Sequence, residues 1–295
     1  MSTLRELKSR IGSVASTQKT TSAMKMISSA KMHKFTGQLQ RLSPYRDMVQ
    51  QTLSHLLATD VEFVSPLIAE RELKHVGIVV FGSDDGLCGA FNINIVKRLQ
   101  ELLSTAEKTY GKGVDITLFP VGRKVVKSVR KIVADGVKVE TTDYMSTRSS
   151  SDDLSRFTAM LRERFLEGEL DRVDLLYMHF KSTSRQVLTH EQLLPVSYEA
   201  LSQEADASQA NSPCIFEPDA NSIFNSVLPL YVRSLMQDVF TQSSASEQAA
   251  RVMAMQTASD NAKELLETLN LEYNKLRQQS ITTELLDILG GQVER

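Results

Sequence analysis

Near its start the chain places apolar residues at Leu4, Leu7, Ile11 and Val14, and again at Met32, Phe35, Leu39 and Leu42. Alternating steps of three and four keep one narrow stripe of a helix facing a partner, which is the seam of a coiled coil. Between the two runs the same register holds Gln18, Thr21, Lys25 and Ser28, so the seam is interrupted. The neighbouring Ala23, Met24, Met26, Ile27 and Ala30 are expected to continue an apolar face there. Gly12 and Gly37 weaken the helix by about 1 kcal/mol each relative to alanine, and Pro44 predicts a kink. Residues 1–59 therefore read as one helical segment, about 55 residues of helix and roughly 80 Å long at 1.5 Å per residue.

A second long pattern covers residues 219–295. Pro229 falls near its start, and no further glycine or proline occurs until Gly290. Met255, Ala258, Ala262, Leu265, Leu269 and Leu276 recur at three-four steps, with Glu272 the one polar member. The Gly290-Gly291 pair is expected to end this helix.

Residues 74–200 have another texture. Short apolar runs at His75–Gly82, Asp115–Gly122, Val173–Phe180 and Gln186–Leu194 read as strands. Helical patterns at Asn92–Tyr110, Arg123–Val133 and Leu154–Leu166 alternate with them. Such alternation predicts a mostly parallel sheet with helices on both faces. The short Lys181–Arg185 connection allows the last two strands to be antiparallel. Residues 201–218, including the stretch SQEADASQANSPCIFEP (Ser202–Pro218), read as a polar linker.

The fold class expected is thus α/β with long helices. An antiparallel coiled coil of the N- and C-terminal helices flanks a central Rossmann-like α/β domain. Ala15, Ala23 and Ala30 facing Ala249, Ala258 and Ala262 would let the two helices approach closely.

Charge sharpens this picture. The formal net charge is only -2, but Glu6 is the single acidic residue between Met1 and Arg46. That stretch carries Arg5, Lys8, Arg10, Lys19, Lys25, Lys31, Lys34, Arg41 and Arg46, which calls for an anionic partner. Nucleic acid would favour aromatics interleaved with the charge, yet Trp is absent and aromatics are 6% of the chain. A basic shaft in an acidic protein socket accounts for charge and seam together. The start, MSTLRELKSR, has no apolar core of a signal peptide, and no apolar run is long enough to span a membrane.

Candidate chemistry is sparse. GSDDGLCGAFN (Gly82–Asn92) follows a strand and leads into a helix, where a phosphate-binding loop would sit. It lacks Gly-Lys-Ser/Thr and the G-x-G-x-x-G spacing, and Asp84 and Asp85 would repel phosphate, so it reads as a tight turn. Asp152 and Asp153 read as adjacent carboxylates on a loop. The five histidines show no metal-ligand spacing, no serine sits in a nucleophile elbow, and Cys88 and Cys214 are two separate thiols.

At the level of motifs the sequence resembles the gamma subunits of F-type ATP synthases. LRELKSRIGSVASTQKTTSAMKMISSAKMHKF (Leu4–Phe35) is similar to their N-terminal helix, above all at Thr17-Gln18-Lys19 and Ala23-Met24-Lys25-Met26. Gly82–Asn92 resembles the family's Ser-Asp-x-Gly-Leu-Cys-Gly-x-Phe-Asn element. The strongest match is ASEQAARVMAMQTASDNAKELLETLNLEYNKLRQQSITTELLDILGG (Ala245–Gly291). Two positions depart: Asp85 stands where the family commonly has arginine, and Gln256 where lysine is common. The cysteine-bearing regulatory insertion of chloroplast relatives is missing, which points to a bacterial form.

The resemblance implies a noncatalytic rotor shaft, one copy per complex. It transmits torque from a membrane ion-driven c-ring to a ring of alpha and beta subunits. The α/β domain would contact the epsilon subunit and the c-ring. ATP, ADP and Mg would bind the alpha and beta subunits, leaving this chain without a cofactor, a metal or nucleic acid. The location implied is the cytoplasmic face of the bacterial inner membrane, as a peripheral subunit. Carried over by motif, Arg277, Gln278, Thr282 and Glu284 match positions that engage an acidic loop of beta. Met24 and Lys25 match positions near that loop, and Arg251 matches one important for coupling. Leu285, Leu286, Ile288 and Leu289 resemble the tip that turns in an apolar sleeve.

Overall fold

The computed structural model describes residues 3–57, 63–132, 137–198, 201 and 216–293. Two helices dominate it. Helix α1 runs Leu4–Leu57 and, after the intervening domain, the last helix, α6, runs Ala220–Val293. At 1.5 Å per residue α6 is roughly 110 Å long. The two pack against each other more extensively than any other pair of elements. Arg46 Nη1 donates to Asp238 Oδ2 at 2.9 Å across the pair. From there the chains run in opposite directions.

The seam of α1 follows the heptad register without a break. Every position in it, from Leu4 and Leu7 through Gln18, Thr21, Lys25 and Ser28 to Leu53 and Leu56, is buried or half-buried. The polar interval therefore stays in the seam. The apolar face expected beside it instead points outward, with Met26 65% and Ile27 57% exposed, and Ala23 and Ala30 exposed as well. Ala23 and Ala30 thus do not face α6 as close-approach residues, although Ala249 and Ala262 are buried. On α6 the seam also differs from expectation. Leu266 and Tyr273 are half-buried, while Leu265 and Glu272 are exposed. The three-four steps run Met255, Ser259, Ala262, Leu266, Leu269, Tyr273 and Leu276. A sequence with leucines at both 265 and 266 fits either register, and the partner helix selects one.

Proline and glycine are tolerated inside both helices. Pro44 lies within α1 and Pro229 within α6. Pro44 is exposed, so water can reach the Gln40 carbonyl that loses its amide donor. The expected stop at Gly290-Gly291 does not occur, since α6 continues to Val293. Glycine weakens a helix by about 1 kcal/mol without forbidding it. Most of the expected linker, residues 202–215 with Cys214, lies outside the described residues, as do residues 58–59 of the first helix.

The domain between the helices contains β1 (His75–Phe81), α2 (Phe91–Ser104), α3 (Ala106–Thr109), β2 (Asp115–Val121), α4 (Arg123–Ile132), β3 (Val137–Val139), α5 (Ser151–Leu166), β4 (Arg172–Phe180) and β5 (Gln186–Leu194). The sheet order is β3-β2-β1-β4-β5, the first four strands parallel and β5 antiparallel to β4. The three-residue β3 was not expected from the sequence, because VKV is too short to show alternation. The single helix expected over Asn92–Tyr110 is divided at Thr105 into α2 and α3. Helix α5 starts three residues before the expected Leu154. Ser150 caps it, accepting from the Asp153 amide at 3.1 Å while the Asp153 carboxylate accepts from the Ser150 amide at 3.0 Å. Asp152 and Asp153 thus belong to a helix start, not to a loop.

The sheet separates two cores. On one face Ile78, Val80 and Leu118 pack under α2 and α4 through Phe91, Ile95, Leu99, Val125 and Val129. On the other, Val79, Phe81 and Phe119 pack against α5 and the two long helices. There Phe81 meets Phe240 of α6, with ring centroids 6.3 Å apart.

Helix α6 enters the domain at this second face. Every residue from Asp238 to Ala249 is buried, although most are polar or small (DVFTQSSASEQA). A helix buried all round is normally apolar all round. Here small side chains let it lie close to both α1 and the sheet, and its hydroxyls find acceptors nearby. Thr241 Oγ1 donates to the Gln237 carbonyl at 2.7 Å, and Ser246 Oγ to the Met178 carbonyl of β4 at 2.9 Å. Arg251 and Glu247 form a buried pair at 2.8 Å. Burial pushes the Glu247 carboxyl up, and the Arg251 charge opposes this without cancelling it.

Two stability tests follow from this packing. Leu269→Ala, in the seam, is expected to cost about 2 kcal/mol or more in urea unfolding followed by helix signal, and Leu265→Ala less than about 1 kcal/mol. Equal losses would place the seam in the wrong register. Arg251→Gln leaves Glu247 buried without its cation and is expected to cost about 3–5 kcal/mol. A loss under about 1 kcal/mol would show that the pair is dispensable.

Candidate shaft surface and its joint to the domain

The turn Gly82–Asn92 follows β1, whose neighbours β2 and β4 continue the chain on opposite sides. In open α/β sheets this switch point, at the carboxyl ends of the strands, is where ligands bind. Here the turn is closed upon itself. Asp84 is buried and accepts from the Arg123 amide at 3.0 Å, the Thr147 amide at 3.2 Å and Thr147 Oγ1 at 2.8 Å. Ser83 and Asn92 bond each other twice, at 3.0 and 2.6 Å. A Cβ on Gly82 would come within 2.5 Å of Val125 Cβ, so no other residue fits without displacing α4. Gly89 adopts φ +58°, a conformation that favours glycine. The glycines thus serve tight packing, and the carboxylate occupies the place where a phosphate would need donors.

Two features tie the turn to the rest of the chain. Asp85, the residue that departs from the family pattern, pairs with Arg148 at 2.5 Å and with Arg123 at 3.3 Å. Arg251, buried on α6, donates to the Asp85 carbonyl at 3.2 Å and to the Gly86 carbonyl at 3.3 Å. The position carried over as important for coupling therefore grips the chain's own domain. Gln256, the other departure, bonds both oxygens of Asp260 at 2.8 and 2.7 Å.

The remaining residues singled out lie along the coil. Met24 and Lys25 are half-buried, next to the exposed Met26 and Ile27. Arg277, Gln278, Thr282 and Glu284 are all exposed. Thr282 Oγ1 donates to the Gln278 carbonyl at 2.9 Å, and Glu284 accepts from Ser280 Oγ at 3.4 Å. Arg277 has no ion pair or hydrogen bond among the described residues, so neither Glu272 nor Tyr273 holds it. Continuing the antiparallel register from Arg46 and Asp238 sets Lys25 opposite about residue 259 and Arg277 opposite about residue 7. The two groups are therefore separated by roughly 27 Å along the coil; the structure arranges them as two levels and does not bring them together. At the tip Leu285, Leu286 and Ile288 are each more than half exposed, and the side chain of Leu289 lies outside the described residues.

The basic stretch is similarly open. Of its nine cations only Arg46 is in an ion pair among the described residues; Arg5, Lys8, Arg10, Lys19, Lys25, Lys31, Lys34 and Arg41 have none. Among the described residues no carboxylate of helix α6 forms an ion pair with any of these eight.

One buried polar cluster was not legible in the sequence. Asp174 of β4, fully buried, accepts from Tyr110 Oη at 2.6 Å and Arg172 Nε at 2.8 Å, and lies 3.0 Å from His190 Nε2. Burial alone would raise its carboxyl, but bonds from His190, Arg172 and Tyr110 outweigh burial and hold it below the usual range. Burial, then the Asp174 charge, pushes the Tyr110 phenol above its ordinary value. The cluster fastens β4 and β5 to the end of α3. His190 lies 80 residues from Tyr110 in sequence, and no local spacing announces such a contact. Among the described residues no group of three or more His, Cys, Asp and Glu could hold a metal ion, and no helix is long and apolar enough to cross a membrane.

Comparison with known proteins agrees with this arrangement. The family model for ATP synthase matches residues 3–293. The ATP synthase gamma chain of Phocaeicola vulgatus is 44% identical, with 99% of each chain covered. That of Cupriavidus pinatubonensis is 35% identical, again over 99% of each. Among solved structures, a chain in the central stalk and c-ring of the Tetrahymena thermophila mitochondrial ATP synthase is 25% identical. It has a TM-score of 0.56 and covers 81% of this chain and 99% of its own. A chain of the Euglena gracilis mitochondrial enzyme has a TM-score of 0.62 at 20% identity, over 98% of this chain and 93% of its own, and so shares the fold. With a continuous coil seam, an α/β domain inserted between its helices, and relatives matched from end to end, this chain belongs to the ATP synthase gamma-chain family.

Proposed function

We propose that the chain is the central shaft of a rotary ATP synthase and couples ion flow through a membrane c-ring to catalysis in a surrounding ring of alpha and beta subunits. The observation that carries this reading is the coil itself. Among the described residues it carries eight cations on α1 and Arg277 on α6 without an ion pair, together with exposed Met26, Ile27 and Leu271. An acidic, partly apolar socket complements such a surface.

The chain acts by shape and charge. Its two helices differ in sequence all round, so each of the encircling subunits meets a different face. Turning the coil presents the faces in succession. Exposed basic groups such as Arg277 form and release charge-assisted bonds with acidic groups of beta. The exposed leucines at the tip run in an apolar sleeve. The domain at the other end is the foot, in contact with the epsilon subunit and the c-ring. ATP, ADP and Mg bind the alpha and beta subunits, and this chain performs no chemical step. The complex stands on the cytoplasmic face of a bacterial inner membrane.

Replacing Arg277 by alanine tests the surface with little effect on the fold, because its exposed side chain makes no hydrogen bond or ion pair among the described residues. In membrane vesicles carrying the variant complex, ATP-driven proton pumping is expected to fall severalfold relative to ATP hydrolysis, as for an arginine at the centre of an interface. An unchanged ratio of pumping to hydrolysis removes Arg277 from the working surface.

A further inference from the structure

A groove of about 380 Å³ lies between α5 and the start of α6. Three arginines line it: Arg156 and Arg162 from α5 and Arg233 from α6. No carboxylate does. Arg162 and Arg233 have neither an ion pair nor a hydrogen bond among the described residues, and the Nε of Arg162 is buried without a partner. Arg156 lies over the Tyr144 ring, its Cζ 4.9 Å from the ring centroid. Of the acids on α5, Asp153, three residues before Arg156, is engaged with Ser150 in the helix cap, and Glu163, next to Arg162, does not line the groove. The larger cavity of about 450 Å³ between α1, α6 and the Gly82–Asn92 turn differs in that carboxylates, Asp85 and Glu247, line it beside Lys31 and Lys34. Its Arg148 and Arg251 are already paired with Asp85 and Glu247.

Three guanidinium groups around one groove repel each other, and a buried guanidinium N–H without an acceptor is costly. An anion in the groove removes both penalties. The planar fork of arginine matches the oxygen pairs of a phosphate group. We infer that this groove is a phosphate-group site, held by Arg156, Arg162 and Arg233. The groove lies beside the first turns of α6, at the end of the coil remote from the exposed tip. The phosphate group there is free in solution or is the headgroup of an anionic lipid. Only the second source depends on the foot standing near a membrane.

The test is hydrogen exchange on the purified complex containing the full chain, read on the peptides spanning residues 155–162 and 229–233. Those peptides report this groove separately from phosphate bound at catalytic sites. Inorganic pyrophosphate is titrated first, then vesicles of phosphatidylglycerol in phosphatidylcholine, with phosphatidylcholine alone as control. Slowed, saturable exchange with pyrophosphate identifies a site for free phosphate groups. Slowing by the anionic vesicles alone identifies a headgroup site. In the Arg162→Gln/Arg233→Gln variant the concentration needed is expected to rise at least about tenfold, and Arg162→Lys/Arg233→Lys, which keeps the charge, is expected to retain part of the effect. No slowing with either probe, or slowing that the glutamine variant leaves undiminished, overturns the assignment. The shaft reading is untouched by that result, since pumping and hydrolysis are measured independently.

Discussion

The rest of the structure depends on the burial of α6 between Asp238 and Ala249. A shaft that projects from a domain transmits torque only if the two cannot slip. An apolar joint would be greasy and indifferent to register. This one is built from small and hydroxylated side chains that allow close approach, and from directional bonds that have one solution. Ser246 holds β4, Asp238 holds Arg46 of α1, and Arg251 holds the turn after β1. Displacing α6 by one turn, about 5.4 Å, would break all three and leave the Glu247–Arg251 pair without its surroundings.

The same joint fills the nucleotide-type crevice. The parallel sheet, the switch point beside β1 and the glycine-rich turn that follows are the ingredients of a phosphate site. In this chain Asp84 takes up the backbone donors and Arg251 takes up the carbonyls, so the place where such a fold binds a ligand holds the shaft helix instead. Asp85 gives the same turn a further grip on Arg123 and Arg148.

The long helices, their antiparallel pairing and four of the five strands were legible in the sequence, because heptad steps and short apolar runs each have one physical meaning. The errors are informative. The polar interval at Gln18–Ser28 suggested that the apolar neighbours would take over the seam. In fact the register continues and Met26 and Ile27 face outward, since a coil spanning 54 residues of α1 does not rotate its seam for a few polar positions. Leu265 and Leu266 offered two registers that only the partner helix could decide. Long-range polar contacts, such as Tyr110 with Asp174 and His190, and the arginines gathered from α5 and α6, leave no periodic trace. Of the residues carried over by motif, Arg277, Leu285 and Leu286 are exposed. Arg251 instead works inside the joint, and no sequence pattern separates those two situations.

The most direct measurement of the central claim follows the domain while the surrounding ring is held still. A probe is attached at Lys112→Cys, an exposed position on the domain, in a Cys214→Ser background, with the alpha and beta subunits fixed to a surface. During ATP hydrolysis the probe is expected to turn continuously in one sense, because the coil that the ring drives is locked to the domain that carries the probe. A probe that stays still, or only fluctuates, while ATP is hydrolysed would contradict the account.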